Sequence, residues 1–408
     1  MFTAYRQFVK FFKPNTSNKN RINKSFTQNH NFYYHYCFYK LFMKITCTRD
    51  NLKKGLFAVS RIVGSGNPLQ VLNNILIKTD EGRVKLSSTN LEIGVNTWVG
   101  GKIEEEGAIT VPARIINEYI NNLPTEKVEI ETTENNTLKL ESENYHTSIK
   151  GLSSEDFPLI PQVTEEPLAK IDSQELKNAL SETAWAAAAN ETQPEISGVF
   201  MAFENDRVRI ATTDRYRLAE RTATLLEPAR SQKEVIIPAR TVGELYKILG
   251  LGKGVVEIYF SESQVLFKFD DTELISRLID GQYPDYRQII PKEFKTMVEV
   301  PREDLLHALK ATALFAPDSN NITIEVRPDS GLTVTASSMA AGENTTQVKA
   351  KVTGGDNSAV FNFRYLLDCL NNLSEEGVIF KMINDSSPAA IVPIKRDNYL
   401  YIVMPIKL

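Results

Sequence analysis

Cysteine and histidine are nearly missing from this chain of 408 residues. The three cysteines, Cys37, Cys47 and Cys369, are scattered without a C-x-x-C pair. That excludes a disulfide framework and a structural zinc site, and it fits a reducing compartment, the cytoplasm. Of four histidines only His146 and His307 follow residue 43, in different parts of the chain, so no pair is placed for metal binding or acid–base work. No apolar run approaches the roughly 18 residues of a membrane span. A P-loop is absent, and the pairs Gly64-Gly66 and Gly250-Gly252 lack the other glycines of a dinucleotide fingerprint. The acidic runs Glu104-Glu105-Glu106 and Asp270-Asp271 read as solvated turns. The expectation is a protein without active site, cofactor or metal.

Acid is also missing from residues 1–42, which hold seven Lys or Arg, many Asn and aromatic clusters such as FYYHYCFYKLF. Without them the chain carries 40 basic against 51 acidic residues, a formal charge of −11 in place of −4. A targeting peptide and a nucleic-acid arm are two readings of this extension. The favoured third is an upstream start or dispensable tail, because MKITCTRDNL from Met43 reads as a natural domain start. No functional role is assigned to it.

What the body does contain is a repeat of about 125 residues. Val111-Pro112-Ala113-Arg114, Ile237-Pro238-Ala239-Arg240 and Phe361-Asn362-Phe363-Arg364 each open a short amphipathic helix. A second helix precedes each, around Leu52, Leu176 and Leu305. That spacing is too long for a solenoid and suits tandem domains. Between the helices, apolar and polar residues alternate in short runs, with hairpin turns expected at Asp80-Glu81-Gly82 and Asp329-Ser330-Gly331. Proline-rich joints at 156–167 and 282–294 separate the units. The expected class is α+β: three similar domains at 43–163, 168–291 and 296–408, each with two helices packed on antiparallel sheet.

The repeated arginines are the sharpest clue to function. Pro112, Pro238 and Asn362 fall at helix starts, which puts Arg114, Arg240 and Arg364 in the first turn, where a cation opposes the helix dipole by about 0.3–1 kcal/mol. One explanation is an inherited salt bridge to a neighbouring acid. The other is three equivalent helices presenting arginines to phosphates, independently of sequence. Lys53, Lys54, Arg61, Lys177, Lys247 and Lys310 lie on or beside the same helices.

These repeats, with Thr213-Asp214-Arg215-Tyr216-Arg217-Leu218, Tyr283-Pro284-Asp285-Tyr286-Arg287 and the ending Tyr401-Ile402-Val403-Met404-Pro405-Ile406-Lys407-Leu408, resemble the bacterial DNA polymerase III β subunits, the sliding clamps, from Met43 to Leu408. The resemblance implies a DNA clamp fold in a head-to-tail dimeric ring around duplex DNA, with Arg114 and Arg240 facing the duplex; the repeat extends this to Arg364, and Lys53 and Arg61 add to it as basic residues of the same helices. It implies a hydrophobic pocket for short linear motifs of the polymerase, clamp loader and repair proteins, at Ile196, Thr213, Leu218, Pro284, Ile289, Ile402, Met404, Pro405 and Ile406. Ring closure maps to Ile149, Leu314 and Phe315. Two departures stand out: Arg215-Tyr216 replaces a common Gly-His pair, making the rim bulkier and more basic, and the loop at Gly66-Asn67 lacks an arginine found in some members. Two rival readings are a nucleotide enzyme, for which no convergent acids or nucleophile are visible, and a monomeric peptide-binding scaffold without topological DNA binding.

Overall fold

The computed structural model describes residues 42–64, 68–163, 165–189 and 192–407. The N-terminal extension to residue 41, Cys37, the loop at Gly66-Asn67 and Leu408 lie outside the described residues. Among those described, six helices of ten or more residues occur in three pairs: α1 (Arg49–Ser60) with α2 (Ala113–Asn122), α3 (Ser173–Thr183) with α5 (Ala239–Ile248), and α6 (Arg302–Ala313) with α7 (Phe363–Asn372). A one-turn helix, α4 (Pro194–Ser197), follows α3.

Each helix buries one apolar stripe on the sheets: Leu52, Leu56 and Val59 of α1, Ile116 and Ile120 of α2, Val242, Leu245 and Ile248 of α5, and Leu366, Cys369 and Leu370 of α7. Polar caps start three of them. Thr48 Oγ1 accepts from Asn51 N at 3.3 Å, Asp172 Oδ1 from Gln174 N and Glu175 N at 2.9 and 3.1 Å, and Asn362 Oδ1 from Arg364 N at 3.0 Å. Pro112 and Pro238 stand at the helix starts as caps with φ of −55° and −52°, where the fixed ring torsion suits the turn from strand to helix. The expected hairpin at Asp80 is present as a two-residue turn, Glu81 and Gly82 both with positive φ (48° and 75°).

The sheets do not stop at the units. A five-stranded sheet belongs to the first unit alone, with Tyr145–Lys150 as one edge, and a four-stranded sheet belongs to the third, with Gly342–Val348 as one edge. Between them lie an eight-stranded sheet shared by the first and second units and a nine-stranded sheet shared by the second and third. At the first junction Thr272–Arg277 pairs antiparallel with Ile93–Val99 (Leu274 opposite Val95), and at the second Tyr399–Val403 pairs with Arg217–Thr224 (Ile402 opposite Leu218). The repeat makes these one kind of contact: the last strand of a unit adds to the same strand of the unit before it. Continuing the rule leaves Tyr145–Lys150 and Gly342–Val348 as the two strands of that kind that, among the described residues, are paired on one side only and have no junction partner.

Ionic contacts lock the second junction behind its strands. Arg217 is 11% exposed, donates to Asp214 Oδ2 at 2.9 Å and pairs with Asp368 of α7, with its guanidinium 5.1 Å from the Trp185 ring and 4.5 Å from the Tyr365 ring. Deeper, Glu182 accepts from Arg221 at 2.7 Å and from Arg396 at 2.8 Å, while Glu175 and Glu375 press on the same two guanidiniums. Three carboxylates thus share two arginines. Burial, helped by the neighbouring acids and resisted by Arg221, pushes the Glu182 carboxyl up to about 7. The folded state therefore holds that proton more tightly than the unfolded chain, a contribution present at low pH and lost as pH rises through about 7. Replacing Glu182 with Gln should remove about 2 kcal/mol of the difference in unfolding free energy between roughly pH 5.5 and pH 8, measured by urea denaturation at both.

Candidate functional site

Two surfaces emerge, one on the helices and one at the second junction. On the helices, Arg114, Arg240 and Arg364 are each the second helical residue and each is exposed, away from the buried stripe. Arg114 pairs with Glu118 at 3.0 Å one turn on, with 86% of its side chain exposed, so that pair contributes little to stability. Arg240 and Arg364 have no ion-pair partner among the described residues, so an inherited salt bridge accounts for one arginine of three. Lys53 is exposed on α1, and Arg61 lies 4.4 Å over the Phe57 ring just beyond it. The six long helices carry ten Lys or Arg against eight Asp or Glu, in a body where acids outnumber bases 51 to 40. Charge is sorted, with the basic share on the helical side.

The second surface separates into floor and rim. Leu218 and Ile402, opposite one another in the register, are 0% and 1% exposed and belong to an apolar cluster with Phe200, Tyr283 and Tyr286. They are a floor under the joint rather than exposed anchors, because the strand pairing and the joint's tyrosines cover them; Phe200 and Tyr283 stack at 4.9 Å. Ile196 on α4 and Thr213 are likewise buried, Thr213 through a 2.7 Å hydrogen bond to the Arg217 carbonyl. The accessible rim comprises Pro284, Ile289 (45% exposed), Tyr216 (62% exposed) and the half-buried run Met404-Pro405-Ile406. That C-terminal run is pinned across the junction by Met404 N to Tyr216 O (2.8 Å) and Ile406 N to Val360 O (2.7 Å). A cavity of about 860 Å³ runs along the joint and shares Phe200, Tyr283, Pro284 and Tyr286 with this surface; Lys233, Glu234, Glu262 and Asp280 make it polar.

The residues mapped to ring closure do not form one set. Leu314 is 76% exposed at the end of α6, whereas the neighbouring Phe315 packs on the third unit's core. Ile149 is 4% exposed, inside the first unit's own core. It holds its edge strand from behind, leaving backbone and Tyr145 (44% exposed) for any partner. Among the described residues no cluster of His, Cys, Asp or Glu could hold a metal, and no helix is long and apolar enough to cross a membrane.

Sequence reading missed Arg217, Arg221, Glu182 and Asp368. Their only signal is alternation: Arg217, Ala219 and Arg221 share one strand face, which reads as solvent-facing until helices α3 and α7 supply acids against it.

Three family models match consecutive stretches: the DNA polymerase III beta subunit N-terminal domain at 43–161, its central domain at 170–285 and its C-terminal domain at 287–407. The beta sliding clamp of Synechococcus elongatus is 31% identical over 378 residues, covering 90% of this chain and all of that protein. The crystal structure of the Bacillus subtilis DNA polymerase sliding clamp superposes with a TM-score of 0.86 at 27% identity, covering 90% of this chain and 99% of that one. A Pseudomonas aeruginosa sliding clamp bound to griselimycin gives 0.84 at 26%, covering 90% and 100%.

Floor and rim predict different responses. Ile402→Ala should cost about 2–5 kcal/mol in denaturant unfolding through the cavity it leaves, whereas Pro405→Ala on the rim should cost under about 1 kcal/mol.

Proposed function

The chain belongs to the DNA polymerase III beta subunit family, and from that premise we propose that it is a cytoplasmic, non-catalytic sliding clamp that encircles duplex DNA and tethers the replicative polymerase, the clamp loader and repair proteins. The observation that carries the reading is the split of surfaces: a helical layer enriched in base in an acidic body, and an apolar groove at a junction on another part of the chain. Sequence-independent sliding needs weak, exchangeable phosphate contacts, and exposed arginines at helix starts supply these without base-reading groups. Arg114, Arg240 and Arg364, with Lys53 and Arg61, are the proposed duplex contacts. Pro284, Ile289, Tyr216 and Met404-Pro405-Ile406 form the proposed mouth for a short peptide, over the floor of Leu218 and Ile402.

The proposed domains are 43–163, 168–291 and 296–408. Their junction rule supports head-to-tail assembly: the edge strand Tyr145–Lys150 of one chain would add to the edge strand Gly342–Val348 of another, as Thr272–Arg277 adds to Ile93–Val99 within the chain. Such a contact joins two different surfaces, so it either closes or propagates. Closure after two chains and six domains is the family's arrangement, and it removes both exposed edges. Leu314 lies beside this contact in the proposal, and Leu314→Asp should shift the dimer toward monomer by about tenfold or more in sedimentation. An unchanged dimer would remove Leu314 from the interface.

The decisive test is retention on nicked circular DNA, after loading with a clamp loader, before and after linearisation. A topological clamp stays on the circle and runs off free ends. Equal, salt-sensitive binding to both would favour the monomeric peptide scaffold. Reversing the charge of Arg114 and Arg240 together should lower loaded clamp several-fold while leaving peptide binding unchanged.

A further inference from the structure

Resting on the reading that the second-junction groove docks peptides, we infer that Arg215 makes the groove selective for peptides with a carboxylate beside their apolar anchors.

The turn that carries Arg215 is scaffold, and its side chain is a separate matter. Arg215 has φ of +77°, a region that side-chain-bearing residues rarely adopt. Its N–H donates to Thr213 Oγ1 at 3.1 Å, and Asp214 Oδ1 accepts from Tyr216 N and Arg217 N, both at 3.0 Å. The equivalent turn of the first unit is the same: Leu91 has φ of +77°, its N–H donates to Thr89 Oγ1 at 3.0 Å, and Asn90 Oδ1 accepts from Glu92 N and Ile93 N at 3.0 and 2.8 Å. An aliphatic side chain fills that position in one unit and a guanidinium in the other, so the backbone does not demand arginine.

Among the described residues the guanidinium has no acidic partner. Asp214, its neighbour, is committed: Oδ1 to two backbone N–H groups and Oδ2 to Arg217 Nε at 2.9 Å. Arg217 takes Asp368 as well. Arg215 donates to the neutral side-chain oxygen of Gln193, the cap residue of α4, and has no ion-pair partner among the described residues. One of its five N–H donors is thereby used, which ties the guanidinium to the start of α4. Beside it, Tyr216 is 62% exposed, stacks near Tyr365 at 6.5 Å, and accepts from Met404 N through its carbonyl. A guanidinium tethered to α4, with no ion-pair partner among the described residues, beside an apolar groove matches a carboxylate, which it can meet with two parallel hydrogen bonds.

The test uses two fluorescein-labelled octapeptides with the same Leu and Phe anchors, differing only in Asp against Asn beside them, and fluorescence anisotropy on the full chain. The Asp peptide should bind about 5-fold tighter at low salt, and the ratio should fall toward one in Arg215→Gln, with affinity for the Asn peptide unchanged. Gln193→Glu, which supplies an internal carboxylate, should also erase the preference with Arg215 intact. Equal binding of both peptides by the native chain would overturn the selectivity while leaving the groove standing. Failure of the native chain to bind either peptide would overturn the groove itself.

Discussion

Addition of one strand across each junction is the constraint on which the rest of the molecule depends. Once Tyr399–Val403 lies against Arg217–Thr224, Leu218 meets Ile402, the C-terminal run is led past Tyr216, and the joint's tyrosines have a floor to cover. Backbone pairing sets this register, and the side chains behind it make it specific. Arg217 and Arg221 face the helices, where Asp368, Glu175 and Glu182 receive them. A slip of one residue would turn both guanidiniums to the opposite face and leave those acids buried and unpaired.

The two proposed surfaces follow from one division of labour. Helices present the polar face left by their apolar stripe, and there Arg114 makes a weak surface pair while Arg240 and Arg364 have no ion-pair partner among the described residues. Weakness is an asset in a ring that must move along its track, since tight phosphate contacts would hold it in place. The groove has the opposite requirement. Its floor is as buried as any core, so a peptide meets a rigid base and spends little order on adapting it.

Much of this was legible in the chain. Periodicity located the six helices, Glu81-Gly82 located a hairpin, and the prolines near 158 and 284 marked the joints. What was not legible is pairing partners. Alternation says that Arg217–Thr224 is a strand, but nothing in it names Tyr399–Val403 as its neighbour, and Asp368 is 151 residues from the arginine it holds. The same limit explains Leu218, Ile402 and Ile149: pattern assigns such residues to an apolar face without saying whether that face meets a peptide, another chain or their own core.

The two free sheet edges carry a consequence for how the proposed ring comes apart. Junctions inside the chain form between strands tethered by a joint, at an effective concentration that dilution does not change. In the proposed ring, the junction between chains answers to protein concentration. In that proposed ring, three repeats fused in one polypeptide concentrate all sensitivity to dilution at a single class of seam, and the proposed clamp loader has one chemically distinct place to pull.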